Sequence, residues 1–220
     1  MRNPMNRGGK VKHLSLFGSG LILGLIVLLL ASGCRYLDFR LPALGKAGKY
    51  RTAKRDLAQP RGAGASTAVP LLEAIVKEDP FYRDTLTLLG RAYYQQRRYQ
   101  AALQILQRAV LVNKEDEIAW LLLGLTQFRL GNDQQGLESF KGGLSLLYKK
   151  ATKYGYRGYE SWDVNKLVQS SIRRAIFQVQ KGGLENKQRL IRSGELILIR
   201  IDDEVRDQST DKAVQEQSEM

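Results

Sequence analysis

Apolar residues recur at helical spacing along most of the chain from residue 68 onward. Residues 83–116 and 117–150 repeat the same order of large apolar and small residues, and the two segments align without a gap at an offset of 34 residues. Apolar positions three and four residues apart predict amphipathic helices. A period of 34 residues is typical of stacked helical hairpins. The pattern therefore predicts an all-α solenoid that contains at least two hairpins.

The aligned pairs share size as well as polarity. Large residues fall on large ones and small residues on small ones: Leu86 on Trp120, Leu89 on Leu123, Tyr94 on Phe128, Leu106 on Phe140, Gly90 on Gly124, Ala102 on Gly136 and Ala109 on Gly143. We expect the small residues to let the two helices of each hairpin approach closely, because a larger side chain would hold the backbones apart. The segments at 95–99 and 129–133 are predicted to be the turns between the helices.

This order of Leu-Gly, tyrosine, small, large and small residues resembles the tetratricopeptide repeat. The resemblance implies a short helical-hairpin solenoid whose first helices line a concave face that binds proteins or peptides. It also implies which positions face that surface. In the first repeat they are Asp84, Thr87, Arg91, Tyr94 and Gln95, and in the second they are Ile118, Leu121, Leu125, Phe128 and Arg129.

The candidate surface of the second repeat is almost wholly apolar, and a patch of this kind is normally covered. One candidate for the cover is the chain's own C-terminal helices, since solenoids need a capping element with a polar outer face. The other is an apolar helix of a partner protein. The lysine and asparagine residues with which some tetratricopeptide domains hold a ligand carboxylate are absent here.

The segments around the two repeats are predicted from composition and spacing. Residues 68–80 are interpreted as a capping half-repeat, and the Gly-, Ala- and Lys/Arg-rich residues 34–67 as a flexible tether. Residues 151–208 are predicted to form a C-terminal helical cap, with Asp163 at a helix N-terminus. Within that cap, residues 195–201 are expected to be helical, with a strand as the alternative. The polar tail 209–220 is expected to be disordered.

The N-terminal residues have the layout of an export signal. Residues 1–13 are basic and contain no acid, and an apolar run extends from Leu14 to Leu30. Leu30-Ala31-Ser32-Gly33-Cys34 resembles the lipobox of bacterial lipoproteins. The resemblance implies that residues 1–33 are a signal peptide, that Cys34 is lipidated, and that the protein lies in the cell envelope. Arg35, where an Asp would favour the inner membrane, implies the outer membrane, facing the periplasm, in a Gram-negative cell. The alternative is an uncleaved membrane helix over residues 14–33.

Removal of residues 1–33 and lipidation of Cys34 would change the available chemistry. These changes would remove the only histidine, His13, and would leave 31 Lys and Arg against 22 Asp and Glu. Without histidine and a free thiol, the mature chain could not use histidine-based acid–base catalysis or form Ser-His-Asp and Cys-His arrangements. Nearly all kinds of zinc site would also be excluded. No catalytic residue, metal site or cofactor is predicted. The expected role is a non-catalytic scaffold or assembly factor for an envelope protein or peptide, without nucleic-acid binding.

A basic, tyrosine-rich segment supports an alternative function. Cations and aromatic rings alternate in it: Lys149, Lys150, Lys153, Tyr154, Tyr156, Arg157 and Tyr159. Such a segment suits peptidoglycan or an anionic glycan, through stacking and charge. The more ordinary interpretation is a solvated loop whose tyrosines pack against the core.

Overall fold

The computed structural model describes residues 45–59, 64–153, 155–159 and 161–218, with side chains through residue 210. In these residues the secondary structure is helical throughout: α1 Lys46–Leu57, α2 Ala65–Glu78, α3 Thr85–Gln95, α4 Tyr99–Val112, α5 Glu117–Leu130, α6 Asp133–Ala151, α7 Leu167–Gly182 and α8 Lys187–Ser218, with short 3₁₀ turns at Tyr156–Gly158 and Gly183–Asn186. The predictions for residues 1–44, including Cys34, lie outside the described range. None of the described helices is long and apolar enough to cross a membrane.

Successive helices pair as hairpins: α1 with α2, α3 with α4, and α5 with α6. The α7 and α8 helices follow and pack against each other, and α7 also contacts α6. The expected all-α, tetratricopeptide-type hairpin solenoid with helices after it is therefore confirmed.

The repeat glycines hold the hairpins together at short range. A Cβ at Gly90 would lie 2.5 Å from the side chain of Leu106, and a Cβ at Gly124 would lie 2.6 Å from the backbone nitrogen of Phe140. Leu106 and Phe140 are fully buried. The predicted close approach of the helices is thus found in both repeats.

The turns inside the two repeats have the same backbone form. Arg97 and Gly131, which are 34 residues apart, both have left-handed backbone angles, with φ of 60° and 83°. The residue after each donates its N–H across the turn, Arg98 to the Tyr93 carbonyl and Asn132 to the Gln127 carbonyl, both at 2.9 Å. Glycine is the usual residue for this position, so the first turn is the less favourable of the two.

The structure differs from the predicted tether at its C-terminal part. Residues 46–57 form α1, and its buried stripe of Tyr50, Ala53 and Leu57 packs against the rest of the domain. The Tyr50 ring meets that of Tyr82 edge to face at 5.7 Å. The segment predicted as a half-repeat is accordingly the second helix of a complete hairpin, because the apolar stripe of α1 outweighs its basic composition.

The C-terminal part is helical, as predicted from the sequence, but its last helix extends further than predicted. Residues 195–201 are helical, as expected. The α8 helix continues to Ser218, whereas residues 209–220 were expected to be disordered. The Asp163 carboxylate accepts the N–H groups of Val168 and Gln169 at 2.9 and 2.8 Å, although α7 begins only at Leu167.

Candidate functional site

The α8 helix covers part of the surface formed by the first helices of the hairpins. At Gly194 it lies so close that a Cβ would come within 2.7 Å of the Phe140 ring and 2.8 Å of the Leu125 side chain. Residues Leu190, Ile191, Ile197, Leu198 and Ile201 of the same helix are buried. The chain's own last helix therefore covers Leu125.

Two polar clusters fix α8 against α3 and α5. Both terminal nitrogens of Arg91 donate to the carboxylate of Asp202. The Tyr94 hydroxyl donates to Glu195 Oε1 at 2.6 Å, and Arg129 Nη2 donates to the same oxygen at 2.7 Å. Burial raises the pKa of the Tyr94 phenol above its ordinary value, and the hydrogen bond to Glu195 raises it further. Three of the predicted partner-binding residues thus bind the chain's own helix.

Two other apolar candidates of the second repeat, Phe128 and Leu121, are also buried, whereas Ile118 is half-buried. Phe128 packs against Phe140 inside its own hairpin, with 5.8 Å between the ring centroids. Leu121 is fully buried, and its backbone lies against Gly143. That any of these residues binds a partner stays a prediction.

An open cavity of about 810 Å³ remains between α1, α3, the start of α5 and α8. The predicted residues Asp84, Thr87, Arg91 and Ile118 line it, and the other residues of its wall are mainly apolar or basic. A second cavity of about 570 Å³ shares Arg91 and Asp202 with the first and is also lined by Tyr94, Gln95 and Arg129. The ten candidate positions are therefore divided between two cavities and the buried interior, instead of forming one surface.

Two carboxylates in the wall of the larger cavity are bound within the chain. Asp84 accepts the Tyr50 hydroxyl. Asp116 caps α5, since its Oδ1 accepts the N–H groups of Ile118 and Ala119 at 3.1 and 2.8 Å, while Oδ2 accepts the Thr87 hydroxyl at 2.6 Å. Burial raises the pKa of Asp116, although these hydrogen bonds act in the opposite direction.

A third carboxylate, that of Glu117, accepts hydrogen bonds from polar groups of the tyrosine-rich segment. It accepts Lys150 Nζ at 2.8 Å, the Tyr156 hydroxyl at 2.8 Å and Arg157 Nη2 at 3.3 Å. Burial alone would raise the pKa of Glu117, but the neighbouring cations hold it below its ordinary value.

The aromatic rings of this segment also pack internally. The Tyr156 ring meets Trp162 edge to face at 5.0 Å, and Tyr159 stacks on Trp162 at 6.4 Å. Lys150, Tyr156 and Arg157 therefore serve the fold, which matches the ordinary interpretation of this segment. Tyr154 lies outside the described residues.

Three basic residues that sequence reasoning did not select stand at the mouth of the larger cavity: Arg51, Lys54 and Arg55 of α1. They were assigned to the tether as part of its charge. The apolar stripe of Tyr50, Ala53 and Leu57 was the available signal that this segment is a helix of the domain. Within the described part of the chain, no group of His, Cys, Asp and Glu side chains could hold a metal ion.

Comparison with known proteins supports the repeat assignment. No curated protein matches the chain. Residues 65–126, from α2 to most of α5, match the family model "Tetratricopeptide repeat". This part of the chain is therefore similar to the tetratricopeptide repeat, a family that generally binds other proteins and is generally not catalytic.

Proposed function

We propose that this protein is a lipid-anchored scaffold of the bacterial cell envelope, which holds or assembles a partner protein through its tetratricopeptide domain. Cys34 carries the anchor, and the outer membrane, facing the periplasm, is its site in a Gram-negative cell. The segments around Cys34 support this part of the proposal, with their basic start, apolar run and lipobox-like end. Acyl chains at Cys34 would give a firm attachment, because each buried methylene contributes about 0.8 kcal/mol.

The observation that carries the binding role is the open cavity between α1, α3 and α8. The α8 helix covers the part of the concave side near Leu125, but an open cavity lined by Asp84, Thr87 and the half-buried Ile118 remains beside it. The cavity has a volume of about 810 Å³, which lies within the range of known ligand sites. The partner-binding positions that we retain are therefore Asp84, Thr87 and Ile118.

Photo-crosslinking from the full-length protein in its native cell tests the binding role. With benzoylphenylalanine at Ile118, we expect one discrete crosslinked partner. The same probe at Leu111, which is 74% exposed on α4, is the matched control and should not capture that partner. Equal capture from both positions, or none from Ile118, would contradict the proposed surface.

Intact-mass measurement of the purified native protein tests the anchor. We expect a chain that begins at Cys34 and carries acyl groups, and we expect Cys34→Ser to abolish labelling by a palmitate analogue. A retained leader with an unmodified Cys34 thiol would contradict the anchor and leave the partner-binding test unaffected.

A further inference from the structure

We propose that the larger cavity binds an acidic segment of a partner chain, with apolar side chains of that segment against α8 and its carboxylates at the basic end of α1. This proposal deepens the proposed scaffold function and rests on it. The ligand class is an extended peptide that combines Asp or Glu with large apolar residues. The cavity is formed jointly by all three hairpins and the C-terminal helix.

The charge of the cavity wall is asymmetric. Its lining contains seven Lys or Arg side chains and four carboxylates. Glu117 is paired with Lys150 and Asp202 with Arg91, whereas Asp84 and Asp116 keep their charge and accept hydrogen bonds from uncharged groups. Arg51 and Lys54 are exposed and form no ion pair with any described carboxylate. The net charge of the lining is therefore positive, and it favours an anionic ligand.

The neighbouring wall gives the ligand its second requirement. Leu57 and Leu88 from the hairpins and Leu198, Ile201 and Val205 from α8 also line the cavity. An apolar side chain of a ligand gains free energy when it leaves water and packs against this wall, whereas a free anion makes no such contact. A peptide that carries both carboxylates and large apolar side chains can contact the cations and the apolar wall at the same time.

The position of the cations favours a peptide over a membrane surface. Arg51 and Lys54 are exposed and line the same recess as Leu198, Ile201 and Val205 of α8. A flat leaflet reaches cations of this kind without entering the recess, so it would leave the apolar wall unused. An extended segment enters the recess and contacts both features.

Selection from a displayed library of random nonapeptides on the full-length protein tests this specificity. From the unaltered protein we expect peptides enriched in Asp and Glu next to Leu, Ile or Phe. The double variant Arg51→Glu, Lys54→Glu should lose this acidic enrichment. A matched double variant, Arg108→Glu, Lys114→Glu, makes the same charge change at exposed positions outside the cavity and should keep it.

Affinity measurements on one selected peptide complete the test. We expect fluorescence anisotropy to show binding at least about tenfold weaker in the α1 variant and unchanged in the control variant. Two results would overturn the proposal: no acidic enrichment, or the same enrichment in the α1 variant. Loss of binding to phosphatidylglycerol vesicles in the α1 variant, without any peptide preference, would assign these cations to a membrane. A crosslinked partner without peptide preference would leave the scaffold function intact and remove only this specificity.

Discussion

At the scale of single residues, the repeats depend on glycines whose neighbours differ in their ability to move. Gly90 faces Cγ and Cδ2 of the buried Leu106 side chain, which can shift within the core without displacing the backbone. Gly124 faces the backbone of Phe140, which can move only together with the whole α6 helix. Although Gly90 and Gly124 occupy the same repeat position, a larger residue should therefore destabilise the fold more at Gly124.

Alanine substitutions at three glycines test this difference. We expect Gly124→Ala to lower the free energy of unfolding by about 1–3 kcal/mol through overpacking, and Gly90→Ala to lower it by less. Gly142→Ala should raise it by up to about 1 kcal/mol, because the nearest atom to the added Cβ is 4.0 Å away and alanine favours the helix. Urea unfolding of the three variants measures the order, and equal losses at Gly90 and Gly124 would contradict this explanation.

Glu117→Gln tests the ion-pair cluster at the start of α5. Removal of the charge leaves Lys150 and Arg157 without their carboxylate, so we expect a loss of about 2 kcal/mol at neutral pH. The pKa of Glu117 is below its ordinary value of 4.5 in the folded state. Its contribution is therefore complete above that pH and is lost as the pH falls through the folded-state value.

The difference in stability between the original protein and this variant should narrow accordingly below about pH 4. Glu138→Gln is the matched control, since its side chain is 61% exposed and pairs only with Lys141. We expect it to change stability by no more than about 0.5 kcal/mol. A gap between the two variants that stays constant down to pH 2 would show that the charge of Glu117 is not the cause.

The sequence predicted these residue-level features unevenly. The small residues and the turn glycine were visible because each repeats after 34 positions or has a known conformational role. The first hairpin was not recognised because Asp56 occupies the position 34 residues before Gly90, where the repeat pattern calls for glycine. There the close approach is made from the other helix, since Gly64 lies directly against the Asp56 backbone. A search for glycine at one fixed repeat position cannot recognise a hairpin in which the glycine lies at the other helix.

At the scale of elements, α8 has the largest influence on the candidate site. It carries both polar clusters that cross the concave side, and it covers the apolar surface that the second repeat would otherwise expose. Apolar spacing predicted a helix there, but its partner could not be derived from spacing. The repeat register predicted that Arg91, Tyr94 and Arg129 face the concave side, but it could not show that Asp202 and Glu195 of α8 are their partners.

Asp202→Asn tests how α8 is held. Arg91 and Asp202 are mostly shielded from water, with side-chain exposures of 13% and 18%, so loss of the carboxylate leaves a buried guanidinium unpaired. We expect a loss of about 2 kcal/mol and faster amide hydrogen exchange in α8 before global unfolding. Asp203→Asn is the control, because its side chain is 42% exposed. Equal exchange in the two variants would refute the role of the Arg91 pair.

At the scale of the whole molecule, buried tyrosines connect the hairpins to one another and to α8. Tyr50 reaches from α1 to Asp84, Tyr93 from α3 to Glu73 on α2, Tyr94 to Glu195 on α8, and Tyr156 to Glu117 on α5. Burial raises the pKa of each phenol above its ordinary value of 10.0. The stability of the domain should therefore decrease in alkali.

The direction follows from the two states of the chain. Below about pH 10 both states keep these phenols protonated, whereas above it the unfolded state ionises first and gains free energy. We expect absorbance at 295 nm to show these tyrosines ionising together with the loss of helical circular dichroism. In Tyr94→Phe the decrease in stability between about pH 9 and 11 should be smaller. Reversible ionisation of all ten tyrosines in the helical protein would contradict this expectation.

The long separation of the contacts made by α8 has a consequence for biosynthesis. Arg91 meets Asp202 across 111 positions of the chain, and Tyr94 meets Glu195 across 101. The chain appears in its folding compartment with its N-terminal part first, so the earlier hairpins can pair while the surface around Leu125 is still uncovered. Until α8 follows, this surface is available to chaperones and to other unfolded chains, and the domain reaches its final form only after that helix has arrived.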